Sequence, residues 1–276
     1  MQKLIFAIMA LSFAVIAKAN TEPAAGSDVV TDEMLEANGF RDLKQKAFKP
    51  GEKLVYRLTY GVWDAGEATL SVLPTQRTVK GRKLMRVRGV GKTISAFEWF
   101  FKVDDVYESY IDEKALVPWV FKRRVDENGF KINQDYTFFQ HKNKVKNEKG
   151  KEFDVPSKVQ DMISAFYYAR TLDFSNAKVG DIFEVDIFLD DELFPTKIKY
   201  LGKEVIKTRK GKFRCHKFSP LVEQGRVFKS DDALVAYITD DENKIPIMAK
   251  AKIQVGTVKM HLVKWDGLAN PMSYVK

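Results

Sequence analysis

From Gly51 onward the chain alternates apolar and polar residues in short runs, each closed by a turn signal, and this rhythm constrains the fold most. Leu54, Tyr56, Leu58 and Tyr60 share one face, while Val55, Arg57 and Thr59 share the other. Period two places successive side chains on opposite faces of an extended strand, so such runs read as half-buried β-strands. After a turn around Gly61–Gly66 the alternation resumes at Ala68, Leu70 and Val72; Lys80-Gly81-Arg82 then precedes Leu84–Arg88. Val103, Asp105, Tyr107, Ser109 and Ile111 alternate and stop at Asp112-Glu113-Lys114. Further strands are expected at Ile182–Leu189, Thr196–Tyr200, Lys212–Phe218, Leu234–Thr239, Pro246–Val255 and Thr257–Lys264.

One segment has a helical period. Pro156 marks a helix start, and Val159, Met162, Ile163, Phe166 and Tyr167 form one apolar stripe, which predicts a helix over about 157–172. Asp161, Ser164 and Tyr168 fall on the opposite face. Arg170 falls back onto the apolar stripe. It could snorkel past its neighbours, cap the last carbonyls or pair with a buried acid, and anchoring the helix to the sheet is the preferred reading.

Turn markers recur with matched spacing. Gly51-Glu52 and Gly180-Asp181 each open a strand 129 residues apart; Gly81 and Gly211 lie 130 apart, Pro118 and Pro246 128, and Gly129 and Gly256 127. Four markers in one order suggest two similar halves, about 51–148 and 180–266, linked by the helix. The expected fold is mainly β: a curved antiparallel sheet or barrel-like half-pipe, which protects strand edges. Residues 48–270 would form a single β-rich domain, and 20–47 an N-terminal leader with little pattern.

Residues 1–19 read as a signal peptide. Lys3 precedes a charge-free apolar run from Leu4 to Ile16, and Ala17-Lys18-Ala19 fits the cleavage pattern, with the cut after Ala19. The run is shorter than the roughly 20 residues a spanning helix needs. The protein is therefore expected in the periplasm or at the periplasmic face of an outer membrane, and not to span a membrane. Losing Lys3 and Lys18 takes the net charge from +9 to +7. Export makes nucleic acid an unexpected partner for this basic surface; anionic lipid head groups or envelope glycans suit it better. A solvated surface that aids solubility explains the charge as well.

Motifs for common chemistries are missing from the sequence: there is no G-x-S-x-G, H-E-x-x-H, C-x-x-C or P-loop. No catalytic residue, metal site or cofactor is assigned. His141, His216 and His261 are far apart, and the lone Cys215 has no disulfide partner and reads as a buried inert thiol. His216, next to it, would point to the opposite face of a strand and could not serve it as a base. The acidic runs at Asp190-Asp191-Glu192, Asp231-Asp232 and Asp240-Asp241-Glu242 read as solvated hairpin turns. Asp105 and Glu108 are the least unsuitable pair for a glycan hydrolase.

Two features point to binding. Trp63, Trp99, Phe100, Phe101 and Trp119 are candidate apolar contacts, and the run Trp99-Phe100-Phe101 must present rings to both faces of any strand; a thick core or the rim between two sheets explains these rings at least as well. Lys207, Arg209, Lys210, Lys212 and Arg214 form a candidate basic rim, with a solvated turn as the simpler alternative.

The chain resembles a bacterial family catalogued as a domain of unknown function, DUF3108. The resemblance rests on Pro50-Gly51-Glu52 with Tyr56, Ala65-Gly66, Asp105-x-Tyr107-x-Ser109-x-Ile111-Asp112, Asp161-x-x-Ser164 with Tyr167 and Arg170, and Thr239-Asp240-Asp241 with Pro246. It spans about residues 48–264. Tyr237-Ile238 stands where the pattern often has Trp, and Gly225-Arg226-Val227-Phe228 gives a Bacteroidetes-like look. The resemblance implies an exported, envelope-associated β-rich protein and no established activity. An architectural likeness to the LolA and LolB lipoprotein carriers would be fold-level analogy alone.

The reading that follows is a non-enzymatic exported protein binding a lipid or glycolipid in an apolar concavity. The alternative is an accessory subunit of an outer-membrane or secretion assembly, and a cell-envelope hydrolase is a third.

Overall fold

The computed structural model describes residue 40 and residues 42–99, 101–221, 234–252 and 256–275. The signal peptide, most of the leader, Phe100, Asp231-Asp232 and Gly225-Arg226-Val227-Phe228 lie outside the described residues.

Every strand pairing in the sheet is antiparallel. The first meander comprises β1 (Lys53–Tyr60), β2 (Trp63–Leu73), the short β3 (Thr78–Val79), β4 (Arg82–Thr93), β5 (Asp104–Asp112), β6 (Pro118–Glu127), β7 (Phe130–Phe139), β8 (Lys144–Asn147) and β9 (Glu152–Asp154). The second comprises β10 (Ile182–Leu189), β11 (Glu192–Thr208), β12 (Gly211–Pro220), β13 (Leu234–Thr239), β14 (Pro246–Lys252) and β15 (Thr257–Asp266). The chain enters at mid-sheet with β1 and walks outward to β9. It then crosses over, restarts at the far edge with β10, and walks inward until β15 pairs with β1. One curved 15-stranded sheet results, with β9 and β10 as its edges. The half-pipe expected from the sequence is therefore found, and it is not a closed barrel.

Side chains bridge the open seam. Asp190 and Asp191, both with left-handed φ (52° and 62°), form the β10–β11 turn. Arg123 Nη1 donates to Asp190 Oδ1 at 2.7 Å, Asn147 Nδ2 to Asp191 Oδ2 at 2.9 Å, and Tyr136 Oη to Asp191 Oδ1 at 3.0 Å. Phe188 of β10 packs 5.2 Å from the Phe153 ring of β9.

The helix that fills the trough is shorter than its pattern suggests. Besides the single turn α1 (Ser95–Glu98), the only α-helix among the described residues is α2 (Met162–Ala169), not 157–172. Gln160 explains the late start: its backbone is held by β10, with its N–H on Asp186 O and its carbonyl taking the Phe188 N–H, each at 2.8 Å. Asp161 then caps α2, accepting from the N–H groups of Ile163 and Ser164, while the Ser164 hydroxyl takes the Asp161 N–H. Residues 162–167 are all buried, so Asp161 and Ser164 face protein and not solvent. Ser109 of β5 donates to the second Asp161 oxygen at 2.5 Å. Gly89 makes room for the helix: a Cβ there would stand 3.2 Å from Leu70 and 3.4 Å from Ile163.

The paired turn markers do the same work in each meander. Gly51 (φ 99°) donates to Val72 O, and Val72 returns its N–H to Glu52 O; Gly180 (φ 103°) donates to Tyr200 O, and Tyr200 returns its N–H to Asp181 O. Leu116 and Lys244 both adopt left-handed φ two residues before Pro118 and Pro246.

Candidate functional site

Arg170 ends α2, and its guanidinium grips the Glu52 carboxylate with two bonds of 2.6 and 2.8 Å. It also donates to Asn243 O and Ala47 O, each at 3.1 Å, and it lies across the rings of Phe48 and Tyr167. Both charged partners are sealed from solvent. The expectation that Arg170 pairs with a buried acid is met, and the acid is Glu52 at the start of the first meander. Burial and the neighbouring carboxylate push the Tyr167 hydroxyl well above its ordinary pKa, so it stays a proton donor.

Beside this clasp lies an apolar pocket. Phe166, Leu172 and Phe174 line it from the helix and the segment after it; Ile198, Phe218, Ala236 and Met260 line it from the second meander. Register explains the sheet wall: Phe218 opposes Ala236, Ala236 opposes Ala249, and Ala249 opposes Met260, so these residues share one face. The two alanines leave space that larger residues would fill. The cavity measures about 60 Å³. Arg170 contributes to its wall, but its charge is spent on Glu52, so the pocket presents an apolar surface.

The other candidates separate. Trp63 (68% exposed) and Trp99 (85% exposed) stand at one end of the sheet, and Phe101 is half-buried beside them. Trp119 is not with them. It is buried against Leu84 and Phe40, with its indole N–H on Asp112, and belongs to the core. Lys207, Arg209, Lys210, Lys212 and Arg214 are all exposed around the β11–β12 turn. Lys207 lies nine residues beyond Ile198 along β11, roughly 30 Å at about 3.3 Å per residue. None of the five lines the pocket, although Arg214 stands two residues from His216, the strand partner of the pocket-lining Ile238.

Asp105 and Glu108 do not converge. Glu108 sits on the outer face, paired with Arg86 and Arg88. Asp105 is buried on the inner face, where burial pushes its carboxyl to about 6. The acid that Asp105 faces is Glu127, which burial and the Asp105 charge raise to about 7. Glu127 lies 22 positions further on, at the end of β6, and only the register of β5 against β6 could have revealed it.

Cys215 is buried, and its thiol is pushed up to about 12 by burial, as an inert core residue should be. His216 faces the other way. Its Nε2 lies 2.9 Å from Asp240 and its Nδ1 3.2 Å from the Tyr200 hydroxyl. Asp240 also accepts from Lys203 and Arg214, so this acidic turn is a hub of ion pairs and not merely solvated. Among the described residues no cluster of three or more His, Cys, Asp or Glu could hold a metal. No described helix is long and apolar enough to cross a membrane.

With this geometry in place the sheet itself defines the class: an antiparallel β protein built on one curved, open sheet. The family model described as "Protein of unknown function (DUF3108)" matches residues 55–263, and the chain belongs to that family. No curated protein matches it. Among solved structures, it is similar to a β-barrel-like protein of another domain of unknown function, DUF1849, from Brucella abortus. Identity there is 11% and the TM-score 0.48, over 78% of this chain and 96% of that one. It is also similar to a hypothetical protein from Chlamydia trachomatis (11% identity, TM-score 0.36, 83% and 92% covered). Mycobacterium tuberculosis lipoprotein LppX follows at 11% identity and a TM-score of 0.18, with 89% and 100% covered.

Proposed function

We propose that this is an exported envelope protein that binds an amphiphile by taking the end of an acyl chain into the pocket between α2 and the second meander. The observation that carries this reading is the pocket itself: an apolar wall of Phe166, Phe174, Phe218, Ala236 and Met260, backed by an arginine whose charge is already neutralised. Apolar concavities with few polar groups are the usual binding sites of a fold. At about 60 Å³ the cavity is smaller than a whole-ligand site, which typically spans roughly 300–1,000 Å³. It therefore suits a few methylenes, with the remainder of the ligand outside. Met260 is a flexible side chain that can yield to a guest. The export reading of residues 1–19 and the basic excess of the chain support an anionic head group.

The test is titration with a fluorescent fatty acid. Binding should be saturable and displaced by lysophospholipid, and Ala236→Phe, which fills the pocket, should abolish it without changing the circular dichroism. Binding that survives in Ala236→Phe would remove the pocket from the account.

A further inference from the structure

Four of the exposed large apolar side chains stand together at one end of the sheet. Val62 (89% exposed) and Trp63 (68%) form the β1–β2 tip, Trp99 (85%) lies in the β4–β5 connection, and Phe130 (49%) opens β7 at the β6–β7 turn. Backbone hydrogen bonds tie these tips into one rim. Ile94 N–H reaches Ala65 O, Asn128 N–H reaches Lys102 O, and Gly61 N–H reaches Thr257 O, at 3.2, 2.8 and 2.9 Å. The neighbouring turns are thus tied to one another through their backbones.

Charges follow directly behind the apolar tips. Asp64 pairs with Arg57, Asp104 with Lys92, and Asp126 with Lys131. Arg57 also takes Glu67, and outside these pairs the described residues of the rim expose Lys102 and Lys252 against Glu98. An apolar crest with an ion-paired belt one to five residues behind it matches the step from acyl chains to head groups, where indoles concentrate and lysines remain in water. Rings carried on separate turns are shaped to insert among lipids. A protein partner would more often meet them as a continuous packed patch.

We propose that this rim docks shallowly on an anionic phospholipid bilayer, with Trp63, Trp99, Val62 and Phe130 at the boundary between acyl chains and head groups and Lys102 and Lys252 facing lipid phosphates. The rim is distinct from the acyl pocket, and the proposal does not rest on that pocket.

The experiment is co-sedimentation of the mature protein with vesicles of phosphatidylcholine containing phosphatidylglycerol, alongside tryptophan emission. The wild type should sediment with the vesicles, and its emission should shift to the blue. The double variant W63S/W99S, with unchanged circular dichroism, should lose partitioning by at least about tenfold, since two indoles no longer leave water. Ala236→Phe should bind vesicles as the wild type does, which separates this proposal from the acyl pocket. The proposal is overturned if the wild type stays in the supernatant or if W63S/W99S binds equally. A vesicle-free dimer that W63S/W99S dissolves would also overturn it, by assigning the rim to a second copy of the chain.

Discussion

Glu52 and Arg170 are 118 residues apart and form the most enclosed ion pair described. Two charges without water cost heavily unless each satisfies the other, so removing one partner harms the fold more than removing both. Arg170→Met should lower unfolding free energy by roughly 3–5 kcal/mol, and adding Glu52→Leu should restore much of the loss; urea denaturation of the wild type and the two variants measures it. Half of this clasp was legible in the sequence. Helical periodicity put Arg170 on the apolar face of α2, which required a partner. Glu52 was not identifiable as that partner, because nothing local links a strand-opening acid to a distant helix end. Trp119 takes the core role that its sequence left open beside binding: an aromatic near a turn reads the same whether it faces water or, as here, Leu84.

At the level of elements, α2 shows why a stripe finds a helix but not its ends. The apolar period runs back to Val159, yet the backbone of Gln160 is committed to β10 and the helix begins only after Asp161. Asp161 caps two N–H groups and accepts from Ser109 as well. Asp161→Ala should therefore exceed an ordinary cap loss and cost roughly 2 kcal/mol or more, read by thermal or urea unfolding. The β10–β11 turn is a second such element. Its acids looked like solvated turn residues in sequence, and in the fold they fasten the open seam through Tyr136, Asn147 and Arg123. Asp191→Ala should speed hydrogen exchange in β9 and β10 while leaving β1 and β15 protected, because only the seam loses its fastening. Equal loosening throughout the sheet would contradict that assignment.

For the whole molecule, the buried acids set an unusual pH response. Asp105, Asp161 and Glu127 have carboxyls raised to about 6, 6 and 7, with burial the largest cause in each. A raised carboxyl binds its proton more tightly in the folded chain than in the unfolded one. Its contribution is fully present below the unfolded value near 4 and is lost as pH rises to the folded value. Stability should therefore fall between about pH 4 and 7 relative to the double variant Asp105→Asn/Glu127→Gln, by up to about 1.4 kcal/mol per pH unit per group. Chemical denaturation across that range measures the difference, and parallel curves would refute it. The mainly β architecture was legible because alternation reports strands directly. The strand order was not, because the pairing of β15 with β1 and the crossover to the far edge leave no trace in periodicity.

The central claim, an acyl chain held between α2 and the second meander, is most directly tested by native mass spectrometry of the protein expressed with its own leader, followed by solvent extraction of what it carries. The account predicts a discrete added mass that resolves into an acyl-chain amphiphile and is missing from Ala236→Phe. A bare chain mass under conditions that preserve lipid complexes would contradict it.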